Sequence, residues 1–256
     1  MSRRIDAVLD NVQLRDVGPI LISQVNEPPA EMDITYGARP GRNGQDVLSC
    51  RRRSLRVSIE AQIKELYNLA LRSSAQQAVA GWARGTILEL SNHPGQQLHV
   101  KCRAYPALGE VRDYTSTLTI DLEADEIPFW EEKIPSSGSG SGSSGSVQLF
   151  IPGTADEIPV DAIFTPSGTL TSLTITAACG GISKTISLSG INVSSAVSMQ
   201  HSAGSRLEIV SGSSSLLPYR TAASADDLLI PAGMATISWS ANVSGTAQMT
   251  ARGRWL

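Results

Sequence analysis

Eleven consecutive residues drawn only from serine and glycine, Ser136 to Ser146, interrupt a chain that elsewhere alternates apolar and polar side chains. Such a run has nothing to bury, so it cannot offset the entropy of ordering and reads as flexible coil. Its rms reach, about 5–6 Å × √n, is roughly 18 Å. We read it as a linker, native or an engineered splice, that joins an N-terminal domain of residues 1–135 to a C-terminal domain of residues 147–256.

At 256 residues, 41% of them hydrophobic, the chain can bury one or two cores without staples. The formal net charge of −3 gives no support to sequence-specific nucleic-acid binding, which calls for a basic face. Charge is concentrated ahead of Ser136, with 16 Lys+Arg against 18 Asp+Glu, and falls to 5 against 6 from there on. The second half is rich in Ser and Thr, a composition that suits a sheet with hydroxyl-bearing outer faces. Three widely spaced cysteines, Cys50, Cys102 and Cys179, form no metal or disulfide pattern and read as free thiols. MSRRIDAVLDN has no apolar segment behind its positive charge, and no stretch reaches the roughly 20 apolar residues of a membrane span. The expectation is a soluble protein that folds in a reducing cytoplasm, with no membrane insertion.

In the first domain the period is two. Leu55, Val57, Ile59, Ala61 and Ile63 share one face of a strand, and Leu98–Ala104 and Leu118–Ala124 repeat the pattern. Leu71, Ala75, Ala78, Val79 and Trp82 recur instead at helical spacing, which predicts one helix over Leu66 to Arg84 with Gly85 as its C-cap. The stretch Gly37–Gly44 is too rich in Gly and Pro for paired strands and reads as an extended arm or a surface loop. Arg51-Arg52-Arg53 follow, either as a contact for phosphate or an acidic neighbour or as a solvated strand edge. In the second domain, alternating segments at Leu170–Thr176, Ile182–Leu188, Arg206–Val210, Ala235–Ala241 and Ala247–Trp255 predict an antiparallel sandwich, with Trp239 and Trp255 in its core. The fold class is therefore mainly β, an N-terminal β-sandwich with one α-helix followed by a C-terminal antiparallel β-sandwich.

Catalytic patterns are missing. Gly140-Ser-Gly-Ser-Ser-Gly145 spells GxGxxG, but no apolar strand enters it and no amphipathic helix leaves it. His93, His99 and His201 lie at no metal-ligand spacing and read as solvated. Asp121, Glu123, Asp125 and Glu126 crowd one strand rather than converging across a cleft, so they read as an acidic face. Asn192 and Asn242 sit in glycosylation sequons that matter only in a secreted protein. No enzyme, cofactor or metal is expected.

The order of these features resembles the distal tail protein family of siphophages, the hub between tail tube and adsorption apparatus. The resemblance rests on the 37–44 loop with Arg51-Arg52-Arg53 and the strand Leu55–Ile63, and on Gly81-Trp82-Ala83-Arg84-Gly85 with the strand and Pro94-Gly95 turn behind it. Thr117 to Trp130, with Pro128-Phe129-Trp130 at its end, is similar to the closing strand of that family's ring domain. Gly153–Val160 and Leu229–Ile237 look like strands of its peripheral domain. The Ser/Gly run departs from the pattern, because the family joins its domains more tightly.

The resemblance implies a homohexameric ring built by the N-terminal domain, with galectin-like or jelly-roll C-terminal domains outside it. Arg39, Pro40, Arg42, Asn43, Arg51, Arg52 and Arg53 would then form a ring-interface arm. It implies as partners the tail tube protein and the tail-tip hub or tail-associated protein, with tape measure and tail fibre proteins as further neighbours. DNA would cross the lumen without specific binding, and the site of action would be the virion tail tip, assembled in the host cytoplasm. The alternative is a carbohydrate- or receptor-binding module of a tail tip, with Tyr219, beside Pro218 and Arg220, as the loop aromatic for a sugar contact.

Overall fold

The strand Leu55–Ile63 organises the N-terminal half of the protein. In the computed structural model, which describes residues 5–38, 45–64, 67–106, 108–110, 112–124, 126–202 and 206–256, its apolar residues are buried and its polar ones face out. It lies between Ile20–Asn26 and Ser116–Ala124, antiparallel to both, with Ile59 opposite Ile120 and Val57 opposite Leu122. Lys101–Cys102 completes this four-stranded sheet beyond Ser116–Ala124. Strands make up 61% of the protein and helix 8%, so the mainly β reading holds.

Two compact units divide the chain at Trp130/Glu131. In the first, Ala7–Leu9 pairs with Ile87–Leu90, which pairs with Gln96–His99. Asp10 and Asn11, both at positive φ, turn the chain from Ala7–Leu9 into Val12–Gln13. Two successive positive-φ residues give the twist that a two-residue hairpin needs.

The single α-helix among the described residues runs Leu69–Trp82, shorter than the predicted span, and starts where the Asn68 side chain accepts a hydrogen bond from the Leu71 amide at 2.9 Å. That bond satisfies one of the amides a helix start leaves unpaired. Only the C-terminal part of the predicted apolar stripe is buried: Val79, Trp82 and Ala83 are in the core, while Leu71 is 43% exposed. The Trp82 indole N–H donates to the Val12 carbonyl at 2.8 Å. Gly85 does not take left-handed backbone, and the helix ends on Ala83 at φ −65. Gly85 is instead a close approach, since a Cβ there would lie 2.6 Å from Leu9 Cγ.

The second unit overturns the linker reading. Ser136–Ile151 is one 16-residue strand, antiparallel to the 19-residue strand Gly233–Ala251 from Ser136 opposite Ala251 to Ile151 opposite Gly233. The Ser/Gly run therefore lies inside the C-terminal unit, Glu131–Leu256. Glycine in a strand interior sacrifices about 0.5–1 kcal/mol relative to alanine, so something must exploit the missing side chains, and Trp239 does. A Cβ at Gly140 would lie 2.3 Å from Trp239 Cη2, and one at Gly145 would lie 2.5 Å from Cζ2. The buried indole lies against bare backbone, with its N–H 3.4 Å from the Gly142 carbonyl. Backbone pairing together with the flank of one aromatic orders a segment whose own side chains could not.

Gly233–Ala251 also merges two predicted strands. Its first half pairs with Leu170–Cys179, with Ile175 opposite Trp239, and its second half pairs with Ile158–Pro166, with Phe164 opposite Ala247. A register shift between Gly142 and Ser144 lets the neighbouring strand follow the bend. Ile182–Val193 extends one wing of the sheet, and Val197–His201 and Leu207–Ser211 extend the other. The sheet thereby curls over Phe164, Ile175, Ile186, Met199, Ile209 and Ile237, all essentially inaccessible to solvent. Trp255 is half-buried and does not join the fully buried set, contrary to the predicted phase. The strand stops at Ala251, Gly253 presses on the Pro152 carbonyl, and Arg254 takes the buried position.

Candidate assembly surfaces

Met32–Ala38 and Gln45–Arg52 form an antiparallel hairpin that pairs with no other described strand. Gly37 and the backbone of Ala38, expected in a loop, are paired, with Gly37 opposite Asp46. Gly37 is tolerated because the Leu48 side chain occupies the space a Cβ would need, its Cδ2 2.9 Å from that position. Arg39, Pro40, Arg42 and Asn43 lie outside the described residues, as does the side chain of Arg51. The other two members of the predicted arm engage groups of their own chain. Arg52 stacks its guanidinium 5.0 Å from the centre of the Phe129 ring, and Arg53 bridges Glu31 at 3.1 Å and Asp33 at 3.6 Å. Arg52 and Arg53 thus fasten the base of the hairpin.

The hairpin exposes apolar side chains, Leu48 beside Gly37 among them at 67%. Met32, Ile34 and Tyr36 alternate onto one face, with Val47 opposite Tyr36, and all four are 39–59% exposed. A second apolar surface runs along the helix, where two clefts of about 500 and 220 Å³ share Val17 and Ala78 in their walls. Val12, Tyr67 and Leu71 border them, all more than 40% exposed. Sequence periodicity missed this face because Leu71, Ala75 and Ala78 carry the same apolar signal as core residues.

The acidic strand is held in pairs. Asp121 accepts from the Ser58 hydroxyl at 2.8 Å, Lys101 bonds Glu126 at 2.7 Å, and Glu123 receives the Ser54 hydroxyl at 2.5 Å with Arg56 3.4 Å away. The Ser54 hydroxyl above all, and then Arg56 and Arg103, hold the Glu123 carboxyl below its usual value, against a smaller opposing effect of burial. Asp125 lies outside the described residues. Burial raises the thiols of Cys102 and Cys179, so neither is primed as a nucleophile. Among the described residues no group of three or more His, Cys, Asp or Glu stands where it could hold a metal ion.

Two histidines expected in solvent are engaged. His93 stacks on Trp130 at 4.2 Å with an 11° interplanar angle, and its Nε2 meets Glu27 at 2.8 Å. His201 has a side chain only 1% exposed. Its Nε2 accepts the Leu228 amide at 3.2 Å, so the proton lies on Nδ1, which donates to Asp161 at 3.0 Å. Both nitrogens are occupied by the fold, leaving neither for a substrate. Charge contrast along the strand gave no hint of this, because Asp161 is 40 residues away.

Tyr219, the candidate sugar contact, sits in the short helical turn Leu217–Tyr219 and is 44% exposed. Arg220 beside it is tied to Asp226 at 2.8 Å.

The sequence matches no family model and no curated protein. The fold does have solved counterparts. The crystal structure of the Dit protein of phage SPP1, described as a paradigm of the hub adsorption apparatus in phages infecting Gram-positive bacteria, aligns over 99% of this chain and 100% of its own at TM-score 0.69 and 11% identity. A chain of the phage p2 baseplate in its activated conformation with Sr aligns over 98% of both chains at TM-score 0.46 and 10% identity. From the first strand to the last, this chain has the fold of the SPP1 Dit hub protein.

Proposed function

We propose that the protein is a structural component of a phage tail tip, a distal tail protein whose N-terminal unit forms a closed homohexameric ring between the tail tube and the adsorption apparatus. The observation that carries this reading is the alignment of both units at once, end to end, with a hub protein. A fold is not a function, but the surfaces support this one. An apolar hairpin and an apolar helix flank on one chain suit head-to-tail assembly, which closes into a ring when the rotation permits. The tail tube and tail-associated proteins would stack on the ring, and DNA would pass through its lumen. A lining that bound phosphates would add salt-dependent drag, so we expect an acidic or neutral lumen. The catalytic role is none.

Mass photometry tests the assembly. Six copies of 27.1 kDa, 6 × 27.1, give about 163 kDa. That species, and gold label at the tip of virions, are the expected results. A lone monomer at micromolar concentration in the presence of tail tube protein would refute the ring. Glycan-array binding by residues 131–256, abolished by Tyr219→Ala, would favour the receptor-binding alternative.

A further inference from the structure

We infer that the free edge of Ser136–Ile151 pairs with the same edge of a second copy of this chain, antiparallel and about a two-fold axis. The contact differs in kind from the ring proposed above, which needs a head-to-tail interface.

A strand with nothing beside it presents a row of unpaired amides and carbonyls, and folded proteins blunt such rows with charge, proline, a bulge or a covering segment. Other margins of this sheet are covered. Thr221 and Ala225 donate their amides to the Ser187 and Thr185 carbonyls along the outside of Ile182–Val193, at 2.9 and 2.8 Å. Ser214–Ser215 and the Leu216 amide close the outside of Leu207–Ser211. Ser136–Ile151 pairs with Gly233–Ala251 on one side and with no described strand on the other. It contains no proline, and neither it nor Gly233–Ala251 carries a charged residue. Apart from the register shift at Gly142/Ser144, this edge lacks the usual guards.

The edge itself selects its occupant. A foreign strand is recognised by pockets for its alternate side chains, and this edge offers none: Ser137, Ser139 and Ser141 are exposed hydroxyls, while the space beside Gly138 and Gly140 is filled by Val147 and Trp239 of the same chain. What it does have is self-complementarity. SSGSGSGSS, Ser136 to Ser144, reads identically in both directions. An antiparallel copy centred on Gly140 therefore sets Ser139 opposite Ser141, Gly138 opposite Gly142 and Gly140 opposite itself. Hydroxyl then meets hydroxyl along one face, a pairing that supports antiparallel ladders. Thr174 with Ser187 and Thr176 with Thr185 already make it inside this sheet, at 3.1 and 3.0 Å. No like charge opposes the approach, because Lys133, the nearest charged residue before the strand, comes level with the uncharged Val147 of the copy. Each chain brings one such edge, so the pairing consumes both and stops at two chains.

Cysteines placed along the edge of the full chain read the register. Ser139→Cys and Ser141→Cys chains, mixed, bring their thiols directly opposite, and a short bis-maleimide should join one of each into a species of about 54 kDa, 2 × 27.1. In Ser137→Cys alone the two thiols would lie about 20 Å apart along the ladder. That variant should link roughly tenfold more slowly, near the background that wild type sets with its own Cys50, Cys102 and Cys179. In wild type, exchange of the amides of residues 137–143 should slow as concentration rises. Ser139→Lys combined with Ser141→Lys, which sets lysine opposite lysine, should abolish that dependence. A mixture that links no faster than Ser137→Cys, or exchange in 137–143 that ignores concentration, would each overturn the pairing, and the second measurement needs no variant that could misfold. Neither readout depends on six-fold closure: a ring that fails to form leaves both expectations in place, and a ring that forms without them removes the pairing alone.

Discussion

Replacing Gly140 with alanine should destabilise the second unit, although the same change in a flexible linker would be harmless. The new Cβ would lie 3.1 Å from Trp239 Cζ2 and 2.3 Å from Cη2, the second closer than real Cβ contacts come. Trp239 is buried and its indole is rigid, so the clash can be relieved only by moving the ring or bending the strand. Overpacking of this kind costs about 1–3 kcal/mol. Against it stands the reduced entropy of the unfolded chain, which favours alanine by about 0.4–1 kcal/mol. The net loss is therefore about 0–2.6 kcal/mol with a centre near 1.3, a central fall in Tm of roughly 4–7 °C for a unit of this size. Thermal and urea unfolding of the full chain, followed by tryptophan fluorescence, would measure it. Ser139→Ala and Ser141→Ala, at exposed positions of the same strand, should fall within about 0.5 kcal/mol of wild type. Combining Gly140→Ala with Trp239→Leu should shrink the cost of the glycine change, since the ring it strikes is gone. A Tm that holds or rises in Gly140→Ala, or amides of 136–146 that exchange at random-coil rates, would refute the reasoning.

Two further outcomes follow from buried and paired charge. Arg254 and Glu131, with side chains 7% and 5% exposed and 2.8 Å apart, should show strong coupling: Arg254→Met alone is expected to cost about 3–5 kcal/mol, and the double variant with Glu131→Leu less than that, as read from urea midpoints in a double-mutant cycle. Because the folded-state pKa of Glu123 is depressed, its contribution to stability is present above the ordinary value of 4.5 and is lost as pH falls through the lowered one; Glu123→Gln should flatten that acid limb of a pH–stability profile, and an unchanged limb would show that Ser54, Arg56 and Arg103 do not matter to it.

How much of this was legible in the sequence depends on whether a residue's job is done by its side chain and its near neighbours. Leu55–Ile63 and Ser116–Ala124 were plain, because period-two alternation over nine residues has one physical meaning. The whole-chain order of features was enough to suggest the hub fold. The helix was legible but its role was not: Val79 and Trp82 face the core while Leu71 faces solvent, and one apolar stripe cannot say which part of it is covered. Trp255 was misplaced because alternation was carried across Gly253, where a close backbone contact resets the phase. The hairpin was hidden by Gly37, whose space is filled by Leu48 from the opposite strand. His201 was hidden by distance, since its two partners, Asp161 and Leu228, come from other elements of the second unit.

The strand Ser136–Ile151 also decides where the chain can be cut. A fragment begun at Val147, the natural choice when low complexity is taken for a hinge, would discard eleven of its sixteen residues. The carbonyls and amides from Ser238 to Ala251 that face the lost segment would meet water, and Trp239 would lose the bare backbone on which its ring lies. Such a fragment would report on a damaged lobe, and a negative binding result from it would say nothing about the intact one. The sound excision point is Glu131.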